Sequence, residues 1–160
     1  MGCAAASRRC AAVVVAVAAL LAPTTGHAAL IGSCTIVVLS SGQMAPNAAI
    51  AMLGSAQPGG SAAQVKVTAN SLICTVLGLL DCFRVSAPAP AAFTTYPSGG
   101  GAGVTFSTSY RVDGGAGIAG SVQTEVLNGS HTVAVDLSAA RASGVFPAGA
   151  YQAQVTVRCE

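Results

Sequence analysis

Four cysteines and one histidine are the residues of the exported part of this chain that could do chemistry by type. Cys34, Cys74, Cys82 and Cys159 are separated by 39, 7 and 76 residues, with no C-x-x-C pair, and His131 is the sole histidine beyond residue 27. Zinc would need a fourth ligand set in a tighter pattern. Disulfides are the chemistry these spacings support, and four cysteines allow three connectivities. His131 falls in phase with Val133, Val135 and Leu137 and reads as a strand-end residue rather than a general base. No Gly-x-Ser-x-Gly elbow occurs, and the carboxylates Asp81, Asp113, Glu125, Asp136 and Glu160 are scattered. The glycine-rich "SGGGAG" at 98–103 lacks the lysine of a phosphate loop. "DGG" at 113–115 is a turn, since calcium would need clustered carboxylates. No catalytic residue, cofactor or metal follows from the sequence, and a hydrolase has no nucleophile–base pair to name.

Disulfides imply an oxidising compartment, and the first residues supply the route there. Arg8 and Arg9 precede an uninterrupted apolar run from Cys10 to Leu21, Pro23 breaks it, and Gly26-His27-Ala28 offers small residues to a signal peptidase. Residues 1–28 are read as a secretory signal, cleaved after Ala28. The run is too short for the roughly 20 residues of a membrane span. Ser7-Arg8-Arg9 lacks the rest of a twin-arginine motif. Ile31-Gly32-Ser33-Cys34 has a lipoprotein-box outline but lies too far past the apolar run for lipidation at Cys34. Residues 29–160 form one β domain in this reading, located in the periplasm, at the cell surface or outside the cell. Their five basic and five acidic residues balance. No basic stripe remains for nucleic acid, and so few charges on so apolar a chain point to a partner or an assembly.

The elements that must position the cysteines are strands. "CTIVVL" (34–39), "QVKVTA" (64–69), "CFRVS" (82–86), "VTFSTSYRV" (104–112), 121–127, 130–137 and 150–159 are β-branched or alternating runs. In 104–112, Val104, Phe106, Tyr110 and Val112 share the inner face. In the last run, Tyr151, Ala153, Val155, Val157 and Cys159 share one. Asn128-Gly129 between alternating runs predicts a type I′ hairpin joining 121–127 to 130–137. Residues 54–63, 87–103 and 113–120 are loops by composition. The fold class expected is all-β: an immunoglobulin-like antiparallel sandwich stitched by two disulfides.

If 34–41 and 64–74 are antiparallel neighbours, Cys34 meets Cys74. If 150–159 runs antiparallel beside 82–87, Cys159 meets Cys82. This pairing is the one expected. The rival joins Cys74 to Cys82 across "TVLGLLD" and Cys34 to Cys159 across the domain.

Cys34, Cys74 and the final Gly149-Ala150-Tyr151-Gln152-Ala153-Gln154-Val155-Thr156-Val157 resemble the chaperone–usher pilins and spore coat protein U-like secreted proteins of bacteria. The resemblance implies an incomplete immunoglobulin-like sandwich that takes its missing strand from a periplasmic chaperone or from another subunit. It implies a structural, non-catalytic subunit of a fimbrial or coat-like assembly. Two features depart from that pattern: only Ala29–Ser33 stand between the signal and Cys34, and Cys82 and Cys159 are additional. The other expected function is a binding module for carbohydrate or a surface protein. Its contact surface would be Leu77, Leu79 and Leu80 of the apolar 72–83 stretch, or Phe93, Tyr96 and Tyr110 of the loops and strands.

Overall fold

The computed structural model describes residues 32–71, 74 and 82–160. Its elements there are all strands: β1 (Gly32–Ser40), β2 (Ala45–Pro46), β3 (Met52–Gly54), β4 (Ala63–Ser71), β5 (Phe83–Ser86), β6 (Val104–Val112), β7 (Ile118–Ala119), β8 (Thr124–Val126), β9 (Gly129–Arg141) and β10 (Arg158–Cys159). Every ladder is antiparallel.

The larger sheet is built on β9. Along one edge β9 pairs first with β4 (Ala69↔Gly129 to Ala63↔Val135) and then with β3 (Gly54↔Ser138 to Met52↔Ala140). Along the other it pairs with β6 from Val112↔Val133 to Val104↔Arg141. β1 lies outside β4 and is an edge strand. The smaller sheet has the order β10-β5-β8.

The inner faces of the two sheets meet over one apolar cluster: Val65, Val67 and Ala69 of β4, Val133 and Val135 of β9, and Tyr110 of β6 pack against Phe83, Val85, Ala87 and Val126. Period-2 placement of valines delivers this, since each strand turns alternate residues inward. Fully burying each valine contributes about 1.5–3 kcal/mol. Tyr110 crosses the sandwich, and its hydroxyl reaches Val85 O at 2.9 Å, Val122 O at 2.8 Å and Thr124 Oγ1 at 2.8 Å. A second cluster, Leu53, Phe93, Ala139 and Phe146, fills the other end.

The cysteine pairing expected from the sequence is corrected: the bonds are Cys34–Cys159 and Cys74–Cys82. Both neighbour relations behind the expectation hold, but their registers do not serve it. Cys34 stands opposite Ala69, and the β1–β4 ladder ends at Gly32↔Ser71, so Cys74 lies beyond it. Cys34 instead faces inward on the edge of one sheet and meets Cys159 on the edge of the other. Cys74 and Cys82, eight residues apart, close a local loop.

The Asn-Gly hairpin is a second correction. β8 pairs with β5 in the smaller sheet while β9 belongs to the larger, so Asn128-Gly129 is a crossover between sheets. Asn128 spends its side chain on strand-like bonding: Ser71 N–H donates to Oδ1 at 2.8 Å and Nδ2 donates to Ser71 O at 2.7 Å. The turn with two positive φ angles is at Asp113 (49°) and Gly114 (72°), closed by Gly115 N–H to Val112 O at 2.9 Å. Asp-Gly satisfies the same type I′ demand as Asn-Gly, and here it joins β6 to β7.

Candidate functional site

A groove of about 900 Å³ lies between β1 and the C-terminal segment. Its origin is readable residue by residue. Residues 151–160 alternate in exposure throughout, with Tyr151, Ala153, Val155, Val157 and Cys159 turned inward, which is the geometry of a strand. Yet ladder pairing occurs only at the ends. Gln152 bridges Thr95, and Arg158 and Cys159 pair with Ser86 and Val85. Among the described residues, 153–157 make no backbone hydrogen bond. The last run, expected as one continuous strand over 150–159, is therefore an extended segment held at two points. Its β5-side neighbour explains this: past Ser86 the chain reads Ala-Pro-Ala-Pro, and prolines at 88 and 90 have no N–H to continue a ladder.

The opposite wall is β1, whose outer edge has no partner strand among the described residues. Cys34, Ile36 and Val38 share its inward face. Cys34 and Ile36 pack on the core, but Val38 is 70% exposed because it overhangs the groove. Val65, Val135, Leu53 and Phe146 form an apolar floor. Two unpaired backbone edges thus flank a greasy trough. What such a site can do is accept an extended peptide: the edges offer N–H and C=O groups, and the floor accepts alternate side chains.

The residues singled out in the sequence are distributed differently. Leu77, Leu79 and Leu80 lie outside the described residues. Phe93 is 6% exposed and contacts Phe106, Phe146 and Tyr151 with ring centroids 4.7, 6.2 and 5.1 Å apart, so it is core and not a contact residue. Tyr110 is wholly buried. Of the three aromatics, only Tyr96 keeps an accessible face, at 51%. The four cysteines are all in disulfides, Cys34 included, so its thiol is not available for lipidation.

His131 is less peripheral than its sequence position implies. Its Nδ1 is 2.7 Å from Asp113 Oδ2 and its Nε2 is 2.9 Å from Leu127 O. The bond to Asp113 raises the histidine's pKa, the Leu127 carbonyl adds to this, and partial burial opposes it. The same bond, and then the Thr132 N–H, hold the Asp113 carboxyl below its usual range. Both ring nitrogens face acceptors, an arrangement that favours the doubly protonated ring. His131 ties the Asp113 turn to the crossover at Leu127. Arg111 pairs with Asp136, which also accepts from Ser55 Oγ at 2.8 Å, while Ser55 Oγ accepts from Leu137 N–H at 3.0 Å.

Sequence reasoning missed the groove. Two signals marked it: the run Val37-Val38-Leu39, too apolar for an alternating edge strand, and the prolines at 88 and 90 beside a strand that needed a partner. Among the described residues no helix is long and apolar enough to cross a membrane. Compared with protein-family models, curated proteins and solved structures, the chain matches none of them.

Proposed function

We propose that this chain is a secreted, non-catalytic structural subunit of a bacterial surface or extracellular assembly, fimbrial or coat-like, that accepts a β-strand from a partner protein. The sandwich is of the immunoglobulin-like kind with one strand position left open, in keeping with the resemblance of its two ends to pilins and spore coat protein U-like proteins. The observation that carries the reading is the groove: two unpaired backbone edges, at 34–40 and 153–157, over an apolar floor. A periplasmic chaperone would occupy it before assembly and a neighbouring subunit after. The two disulfides suit an oxidising, extracellular setting.

Amide hydrogen exchange tests the reading. In the free protein, residues 153–157 exchange far faster than the paired core of β4 and β9. Adding a synthetic peptide of alternating valine and threonine slows exchange in 36–40 and 153–157 together, and Val155→Lys abolishes that protection. Full protection of 153–157 without any peptide, or no response to it, refutes a strand-accepting groove.

A further inference from the structure

We infer that the Cys34–Cys159 disulfide is the closed end of this groove, and that it sets both the length and the register of the strand a partner can insert. The inference rests on the strand-accepting reading above and adds a feature which that reading does not require. β1 and the C-terminal segment run antiparallel as the two walls. At the bridge their Cα atoms are 6.3 Å apart. A strand between two others needs about 4.7–4.9 Å on each side, so its flanking strands stand nearly twice that distance apart. No strand passes between Cys34 and Cys159. Beyond them the walls part, and the groove is lined from Val157 back to Tyr151 on one side and from Val38 to Met44 on the other.

Tyr151 to Val157 is a span of about 20 Å at 3.3 Å per residue, which fits an inserted strand of about seven residues. One face of that strand lies on the floor and the other is wet, so the occupant alternates apolar and polar residues. Its leading apolar side chain lies toward Val38 and Val65, register partners four positions along β1 and β4 from Cys34 and Ala69, with Ile36 and Val67 packed in the core between that pair and the bridge. Its trailing ones lie toward Leu53 and Phe146. The occupant comes from another polypeptide. The alternating runs β4, β6 and β9 of this chain are committed to its own ladders, and the apolar run Cys10–Leu21 does not alternate.

Peptides of alternating valine and threonine, from five to eleven residues with a lysine at each end, give the test by calorimetric titration. On the oxidised protein, affinity should climb to about seven residues and then level off. In Cys34→Ser/Cys159→Ser the levelling-off moves to longer peptides, while Cys74→Ser/Cys82→Ser leaves it in place. Affinity that keeps rising through eleven residues on the oxidised protein, or an unchanged limit without the bridge, overturns the inference and spares the strand-accepting reading. No binding at any length sinks that reading instead. Should the double variant fail to fold, the native protein decides alone. A nitroxide on either end of the bound peptide should broaden the Val157 amide from one end and leave Gly32, past the bridge, sharp from both. Broadening at Gly32 overturns the inference.

Discussion

At the scale of single residues, two polar side chains do structural work that the sequence only half disclosed. His131 is held by Asp113 and Leu127, and its folded pKa lies above its ordinary 6.5 while that of Asp113 lies below its ordinary 3.8. The histidine's contribution to stability is therefore complete below about pH 6.5 and is lost as pH rises through the raised folded value. The aspartate's contribution is present above about pH 3.8 and is lost as pH falls through the depressed folded value. Between those limits both partners are charged. Urea unfolding at pH 5.5 should accordingly separate the native protein from His131→Gln by about 0.2–1 kcal/mol, the range for a solvent-screened surface pair, and the gap should narrow by pH 8.5. Tyr110 carries more. Its hydroxyl links β6 to β5, β8 and the Val122 turn from a fully buried position. Tyr110→Phe strands buried acceptors and should cost about 1–3 kcal/mol in the same assay without changing the strand content seen by circular dichroism. The inward face of Tyr110 was legible from alternation. The partners of its hydroxyl were not, because they come from residues 12 to 25 positions away.

At the scale of elements, alternation located the long strands closely: 104–112 coincides with β6, and 64–69 and 130–137 lie within β4 and β9. Those strands are half-buried, so burial writes a period of two into them. The short β2 and β3 carry no such signature over two or three residues, and they passed unnoticed. The Asn-Gly signal failed because it specifies a backbone conformation and not a partner, and the partner of β8 is β5. Disulfide pairing failed for a related reason: neighbouring strands were identified correctly, but pairing depends on register, and Cys74 lies past the end of its ladder. The two bonds differ in what they constrain. In the chain-entropy view, closing 125 residues contributes about 5 kcal/mol and closing eight about 2.5 kcal/mol. Thermal unfolding of Cys34→Ser/Cys159→Ser should therefore show roughly twice the destabilisation of Cys74→Ser/Cys82→Ser. Equal losses would mean that the local loop is as important to the sandwich as the long closure.

At the scale of the whole molecule, the composition was the better guide. A chain with 52% hydrophobic and 8% charged residues has little polar surface with which to cover itself, and part of its apolar inner face lies open in the groove beside β1. The groove was only partly legible: the run Val37-Val38-Leu39 and the prolines at 88 and 90 marked it, but nothing in the sequence placed β1 opposite residues 151–157. The long disulfide has a mechanical meaning as well. Cys34 and Cys159 are bonded across the edges of the two sheets, so a load applied through the residues flanking them runs mainly across two sulfur atoms and meets the sheets only at the paired ends of β1 and β10. Pulled between handles at Gly32 and Glu160, single molecules should lengthen by almost nothing as tension rises. After reduction the same pull should release the enclosed 125 residues, roughly 40 nm of contour at full extension. A chain loaded between these two points keeps its fold beyond the paired ends of β1 and β10, because the bridge carries the tension past the rest of it.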